Sequence, residues 1–192
     1  MKPQLDDHRA VVRQLATCRW VREHHNVLIS GPTGAGKTTH ALHLAREFGA
    51  IHFSIDDWMV RLFGPDARAA APHPPDWPWI AERIARCEDM ITRQALDVGR
   101  LGLSSILDIG LQRADRRRHL ARHALEAGLQ TQLHFVDVPA DERWRRVQAR
   151  NTAKGETYRI EVTRPMFDFI ESIWQPPDEA EMLALAGVRI AA

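Results

Sequence analysis

Short apolar runs alternate along this chain with longer stretches in which apolar residues recur every three or four positions. Asn26-Val27-Leu28-Ile29-Ser30 is apolar enough for a buried strand, and Ile51 to Ile55, Ser104 to Ile109, Gln132 to Val136 and Gly187 to Ala192 have the same length and character. Helical spacing marks 9–23 (Val11, Val12, Leu15, Ala16, Trp20, Val21), 39–48 (Ala41, Leu42, Leu44, Ala45, Phe48), 79–98, 114–127 ahead of Gly128, 141–150 and 162–174. Pro65, Pro72, Pro74, Pro75 and Pro78 make Gly64 to Pro78 a loop, and the polar, Gly-containing stretch from Asn151 predicts a mobile lid at about 151–163. Strands and helices in regular alternation predict a parallel sheet between two helical layers, a three-layer α/β fold. At 192 residues the chain fits one such domain, 1–192.

The first strand and the following helix are joined by Gly31-Pro32-Thr33-Gly34-Ala35-Gly36-Lys37-Thr38, a full match to G-x-x-x-x-G-K-[ST]. Glycines let the backbone curl so that successive N–H groups point at phosphate oxygens, and the helix N-terminus favours the same anion. Lys37 adds a point charge for the outer phosphates and Thr38 a hydroxyl for Mg²⁺. ATP and Mg²⁺ are therefore the expected cofactors, with Gly31, Thr33, Gly34, Ala35, Gly36, Lys37, Thr38 and Thr39 at the nucleotide.

Three further groups carry chemistry. Asp56 and Asp57 end the second strand, where open α/β sheets bind ligands; they suit a base that orients an acceptor hydroxyl, a role compatible with the alternative of a cap and first turn of a helix. Asp108 ends the third strand and suits Mg²⁺ or its waters, or else a turn. Arg146 and Arg150, four apart, share a helix face and suit the charge that builds on a transferred phosphoryl group, whereas Arg143 and Arg145 are expected to pair with Asp141 and Glu142 at the surface. Trp58 and Arg113, with Asp57 and Asp108, are assigned to the acceptor. Trp58, Trp77 and Trp79 suit a pocket wall for a ring-bearing acceptor or, equally, core packing.

Charge narrows the partners. Lys and Arg number 26 against 25 Asp and Glu, so no global field recruits nucleic acid. Arg116-Arg117-Arg118 follows Asp115 without interleaved aromatics and is expected to be a solvated helix face; His119 and His123 lack a third ligand, and no metal is assigned to them. Cys18 and Cys87 are expected core fillers in a reducing compartment, and no apolar run is long enough for a membrane span or leader, which points to the cytoplasm. The oligomeric state is open. A GTPase switch is disfavoured because no Asn-Lys-x-Asp occurs.

These residues resemble a family, the P-loop small-molecule and nucleic-acid 5′-hydroxyl kinases that include zeta toxins, chloramphenicol phosphotransferase, polynucleotide kinases and bacterial ATP-binding kinases. Gly31 to Thr39 resembles its phosphate loop, Ser54-Ile55-Asp56-Asp57-Trp58 its second-strand acid motif, Leu107 to Leu111 its third-strand segment, and Arg146 to Gly155 its lid. The resemblance implies sheet order 2-3-1-4-5, Asp56 as base, and Arg146, Arg150 and Lys154 as lid cations. Polynucleotide kinases carry an arginine three residues after the acid; here that position is Met59, so nucleic acid is not the expected acceptor. The function expected is ATP-dependent transfer of the γ-phosphoryl group to a hydroxyl of a small molecule, the alternatives being a nucleic-acid 5′-hydroxyl kinase or a non-catalytic ATP-binding module.

Overall fold

Val27, Leu28 and Ile29 lie in a strand with no solvent-facing side: the first and third point into one apolar layer and the second into the other. That strand, β1 (His25–Ser30), is the centre of a five-stranded sheet with β2 (Ile51–Ser54), β3 (Ser105–Asp108), β4 (Gln130–Asp137) and β5 (Val188–Ala191). The order is β2-β3-β1-β4-β5 and every pairing is parallel, with Leu28 opposite Leu107 on one side and Leu133 on the other. The structure, a computed structural model, describes residues 25–69 and 77–191; the expected helix at 9–23, Cys18 and the prolines of 70–76 lie outside the described residues.

Helices cover both faces, as parallel strands require. Helix α1 (Lys37–Phe48) presents Ala41 and Leu44 to Val27, Ile29, Ile106, Val136 and Ile190. On the opposite face α3 (Trp77–Arg100) presents Cys87, Ile91 and Ala95 to Leu28, Phe53, Leu107 and Leu133. The remaining helices are α2 (Ile55–Ala69), α4 (Ala114–Glu126), α5 (Ala140–Ala153), α6 (Arg164–Ile173) and α7 (Glu179–Ala184). The chain runs from β1 towards β2, then from β3 across to β4, so the strand order reverses around β1 and leaves a crevice at the carboxyl ends of β1 and β3.

Two elements depart from the sequence pattern. Helix α2 begins at Ile55, one residue inside the expected strand, and runs through Pro65 to Ala69 where a loop was expected. Asp56 and Asp57 favour a helix N-terminus, and Trp58, Met59 and Phe63 pack on the core at helical spacing, which outweighs the hydrogen bond that Pro65 forfeits. Helix α7 was not expected. Its signal is Asp178, whose side chain accepts from the Glu181 amide at 2.7 Å.

Arg117 corrects the reading of 116–118 as a solvated face. Its guanidinium is fully buried, paired with Glu181 through Nε (2.7 Å) and Nη2 (2.8 Å), and donates through Nη1 to the carbonyls of Leu111 and Gln175. Arg116 and Arg118 stay exposed. This fork fastens α7 and the segment before it onto the loop after β3. Glu181→Ala strands a buried cation and is expected to cost about 3–5 kcal/mol in urea unfolding; a loss under about 1 kcal/mol would mean that the pair is not what fixes α7. A second buried polar chain joins α1 to β4: His40 and His134 are 2.9 Å apart and His134 meets Gln132 at 3.0 Å, while burial lowers the His134 pKa to about 4 and keeps that ring neutral.

Candidate active site

The loop 31–36 leaves β1 and enters α1 under tight steric control. A side chain at Gly31 would place Cβ 2.6 Å from the Val136 carbonyl oxygen, and one at Gly34 (φ 80°) would place it 2.6 Å from that of Arg143. The loop is thus seated directly on β4 and α5. Beneath it lies Arg143, which is buried, contrary to the surface pairing expected with Asp141 or Glu142. Its guanidinium donates to the carbonyls of Val138 (2.8 Å) and Thr33 (3.1 Å) and grips Glu171 through two 2.7 Å bonds. Arg143 is therefore a strut between the loop and α6, and its partner lies 28 residues downstream, beyond the reach of any local pattern. Arg145 alone pairs at the surface as expected, 2.8 Å from Glu142.

Four of the expected residues converge at the first turn of α1. Thr38 donates its hydroxyl to Asp108 Oδ2 at 2.7 Å, and Lys37 Nζ donates to the Pro32 carbonyl at 3.0 Å. Burial pushes the Lys37 ammonium below its usual pKa; Asp108 and then Asp56 pull it back, while Arg150 and Arg143 add to the lowering. Asp108 is buried at the end of β3. Burial alone would raise its carboxyl, yet the approach of His52, the Lys37 charge and the Thr38 hydroxyl outweigh that and hold it below the usual carboxylate range. His52 Nε2 stands 3.8 Å from Asp108 Oδ2 and has no hydrogen-bond partner among the described residues.

Asp56 occupies the first turn of α2 and faces the same cluster. Water reaches it from the open side of the cleft, but protein on the other sides strips enough solvent to push its carboxyl above the usual range. The Asp108 charge pushes the same way; Lys37, Arg150 and Arg159 pull back. Arg150 thus lies within electrostatic reach of both Lys37 and Asp56, and its buried Nε has no acceptor among the described residues.

Other expected residues are engaged elsewhere. Arg146 gives its Nε to Glu142 at 2.8 Å, whereas Arg150, on the same helix face, acts electrostatically on both Lys37 and Asp56. Arg113 forms a two-pronged exposed pair with Asp115 at 2.9 and 3.1 Å. Trp58 packs on the core beneath α2, Trp79 meets Phe63 edge-on and carries the Arg83 guanidinium 3.7 Å above its ring, and Trp77 crosses to Phe169 on α6. Asp57 accepts from two guanidiniums, Arg61 Nε at 3.0 Å and Arg159 Nε at 2.7 Å.

Arg159 belongs to the segment 154–163, which follows α5. The side chain of Asn151 closes the base of that segment by pairing with both backbone groups of Val162, and Arg46 on α1 pairs with Glu156 at 2.8 Å. The expected lid is thus pinned at its base and bridged to α1 and α2. The residues 151–153 belong to α5 itself. Sequence reasoning missed His52, Arg159 and the strut role of Arg143.

The cluster fits a nucleotide and its metal. Thr38 and Asp108 converge as hard oxygen donors of the kind Mg²⁺ takes, and the orphaned Arg150 Nε is a buried donor that an anion would satisfy. Among the described residues no group of three His, Cys, Asp or Glu is placed to hold a metal ion. His119 and His123 stack on each other with 4.2 Å between ring centres. No helix of the described residues is long and apolar enough to cross a membrane.

A family model described as an AAA domain matches residues 27–171, the stretch from β1 to α6. No curated protein matches the chain. Among solved structures, the chain is similar to the Mycobacterium tuberculosis APS kinase CysC in complex with AMPPNP and APS, at 20% identity and TM-score 0.59 over 88% of each chain. It is similar to a gluconokinase from Sinorhizobium meliloti 1021 (13% identity, TM-score 0.58, 88% of this chain and 83% of that one). It is also similar to a chain of the PezAT toxin-antitoxin system of Streptococcus pneumoniae (14% identity, TM-score 0.59, 90% and 70%). Likeness at these identities shows the fold alone, a P-loop α/β fold, and the sheet has the order that the family resemblance implies.

Proposed function

The chain belongs to that AAA-domain family, and on this premise we propose that it is an ATP-dependent phosphotransferase that moves the γ-phosphoryl group to a hydroxyl of a small acceptor. The single observation that carries the reading is the convergence of Lys37, Thr38, Asp108, Asp56 and Arg150 at one crevice, with a buried Arg150 Nε that has no partner among the described residues and a base candidate of raised pKa. A passive nucleotide binder needs no base at this position, although the acid also suits the N-terminus of α2. The whole of 1–192 is read as one catalytic unit with 154–163 as its lid, which acts in the cytoplasm.

In this reading the amides of 34–38 hold the phosphates at the N-terminus of α1, and Lys37 leaves the Pro32 carbonyl for the outer phosphates. Thr38 and Asp108 would hold Mg²⁺, which would neutralise phosphate charge. Asp56 orients the acceptor hydroxyl and takes its proton as the oxygen bonds to the γ-phosphorus. The bond from that phosphorus to the bridging oxygen breaks, and ADP leaves with its electron pair. A carboxyl lifted above its ordinary pKa is a better proton acceptor than a solvated one, while Arg150 faces the charge that builds on the transferred group.

Arg150→Ala tests the assignment. Single-turnover transfer is expected to fall at least about tenfold with an unchanged thermal midpoint, and lysine to rescue only in part because it lacks the planar fork. A normal rate with a slightly lowered midpoint would assign Arg150 to packing instead.

A further inference from the structure

Positive charge beside the base exceeds what the nucleotide needs. In the phosphotransferase reading the loop amides, Lys37 and Arg150 serve the triphosphate, yet a further guanidinium, Arg159, reaches from 154–163 to the residue next to Asp56. It is half-buried and meets Asp57 through Nε, while Nη1 donates to the carbonyls of Glu156 and Tyr158. Its Nη2 has no acceptor among the described residues. Asp57, for its part, holds Arg61 on its other oxygen. One carboxylate thus serves two arginines, and it keeps a partner if Arg159 swings away. That arrangement suits an exchangeable contact better than a permanent strut such as Arg143, whose nitrogens are committed to buried or half-buried acceptors.

We propose that Arg159 is the acceptor-recognition residue: it binds an anionic group, a phosphate, sulfate or carboxylate, on the acceptor whose hydroxyl lies at Asp56, and Asp57 holds its place until that anion arrives. The inference rests on the phosphotransferase reading and narrows the acceptor to hydroxyl compounds that already carry a negative charge. Chemistry favours such a device, because an anionic acceptor approaching a triphosphate is repelled, and a cation placed between the two offsets that repulsion. The same cation lies close enough to Asp56 to draw its pKa down, so its withdrawal towards the acceptor would leave Asp56 the stronger base.

The test uses the full chain saturated with the Mg²⁺ complex of AMPPNP, which fills the phosphate loop, and inorganic sulfate as probe at constant ionic strength. Calorimetry of the nucleotide alone comes first: if AMPPNP does not bind, the phosphotransferase reading fails, whatever the sulfate does. With nucleotide bound, wild type is expected to take up one further sulfate saturably. Arg159→Ala should weaken it at least about tenfold, Arg118→Ala should leave it unchanged, and Asp57→Asn should tighten it, because the competing charge has gone. Tightening is the decisive sign, since a simple latch between α2 and the lid predicts no gain from Asp57→Asn. No saturable sulfate uptake beside the nucleotide, equal binding to Arg159→Ala, or weaker binding to Asp57→Asn would each overturn the proposal.

Discussion

Asp56→Asn is expected to lower acceptor-dependent phosphoryl transfer by about 10²–10⁴-fold while ATP affinity holds or rises slightly. The asymmetry follows from position. In the proposed reading Asp56 serves the acceptor, and the charges that act on it most strongly, Asp108 and Lys37, would hold metal and phosphate without it. Removing a negative charge next to Lys37 can only help an anionic nucleotide. The same residue sets the pH profile: with its pKa raised, kcat/KM should fall on the acid side at a pH above the ordinary carboxylate value of about 4. Asp57 is a poor candidate for this role, since both its oxygens are already held by guanidiniums. Loss of ATP affinity in Asp56→Asn, with intact transfer at saturating nucleotide, would move the residue from base to metal site.

Lys37→Ala is expected to abolish turnover and leave the fold intact. Among the described residues the side chain packs in neither apolar layer and its one hydrogen bond is to the Pro32 carbonyl, so no core contact is lost there. Burial already disfavours its charge, which means that truncation relieves a desolvation cost; the thermal midpoint should hold or rise. What disappears, in the proposed reading, is the cation for the outer phosphates. Unchanged ATP turnover in a folded Lys37→Ala protein would sink the nucleotide assignment.

The parts of the fold written in local pattern were legible in the sequence. The run 26–30, the phosphate-loop glycines and the spacing of Ala41 and Leu44 are each contained within a few residues, and each forms the expected element. The sheet order came from resemblance alone, because periodicity says nothing about which strand lies beside which. Pairings across long separations were hidden. Arg117 meets Glu181 across 64 positions and Arg143 meets Glu171 across 28, so both looked like surface arginines on polar helices. Pro65 misled for a different reason: its propensity cost is local and visible, whereas the burial of Trp58, Met59 and Phe63 that outweighs it is tertiary. At the site, Thr38 and Asp108 were marked by motif and strand end, whereas Arg159 sits in a segment with no periodicity, and only the contact with Asp57 brings it to the crevice.

The most direct test of the phosphotransferase account is ³¹P NMR of the wild-type protein with Mg²⁺, ATP and a panel of hydroxyl compounds, each in matched neutral and anionic forms. The account predicts a new phosphate-ester resonance that grows in step with ADP for at least one acceptor and fails to appear with Asp56→Asn. ATP consumed only to inorganic phosphate, at a rate indifferent to every acceptor and to Asp56→Asn, would contradict it.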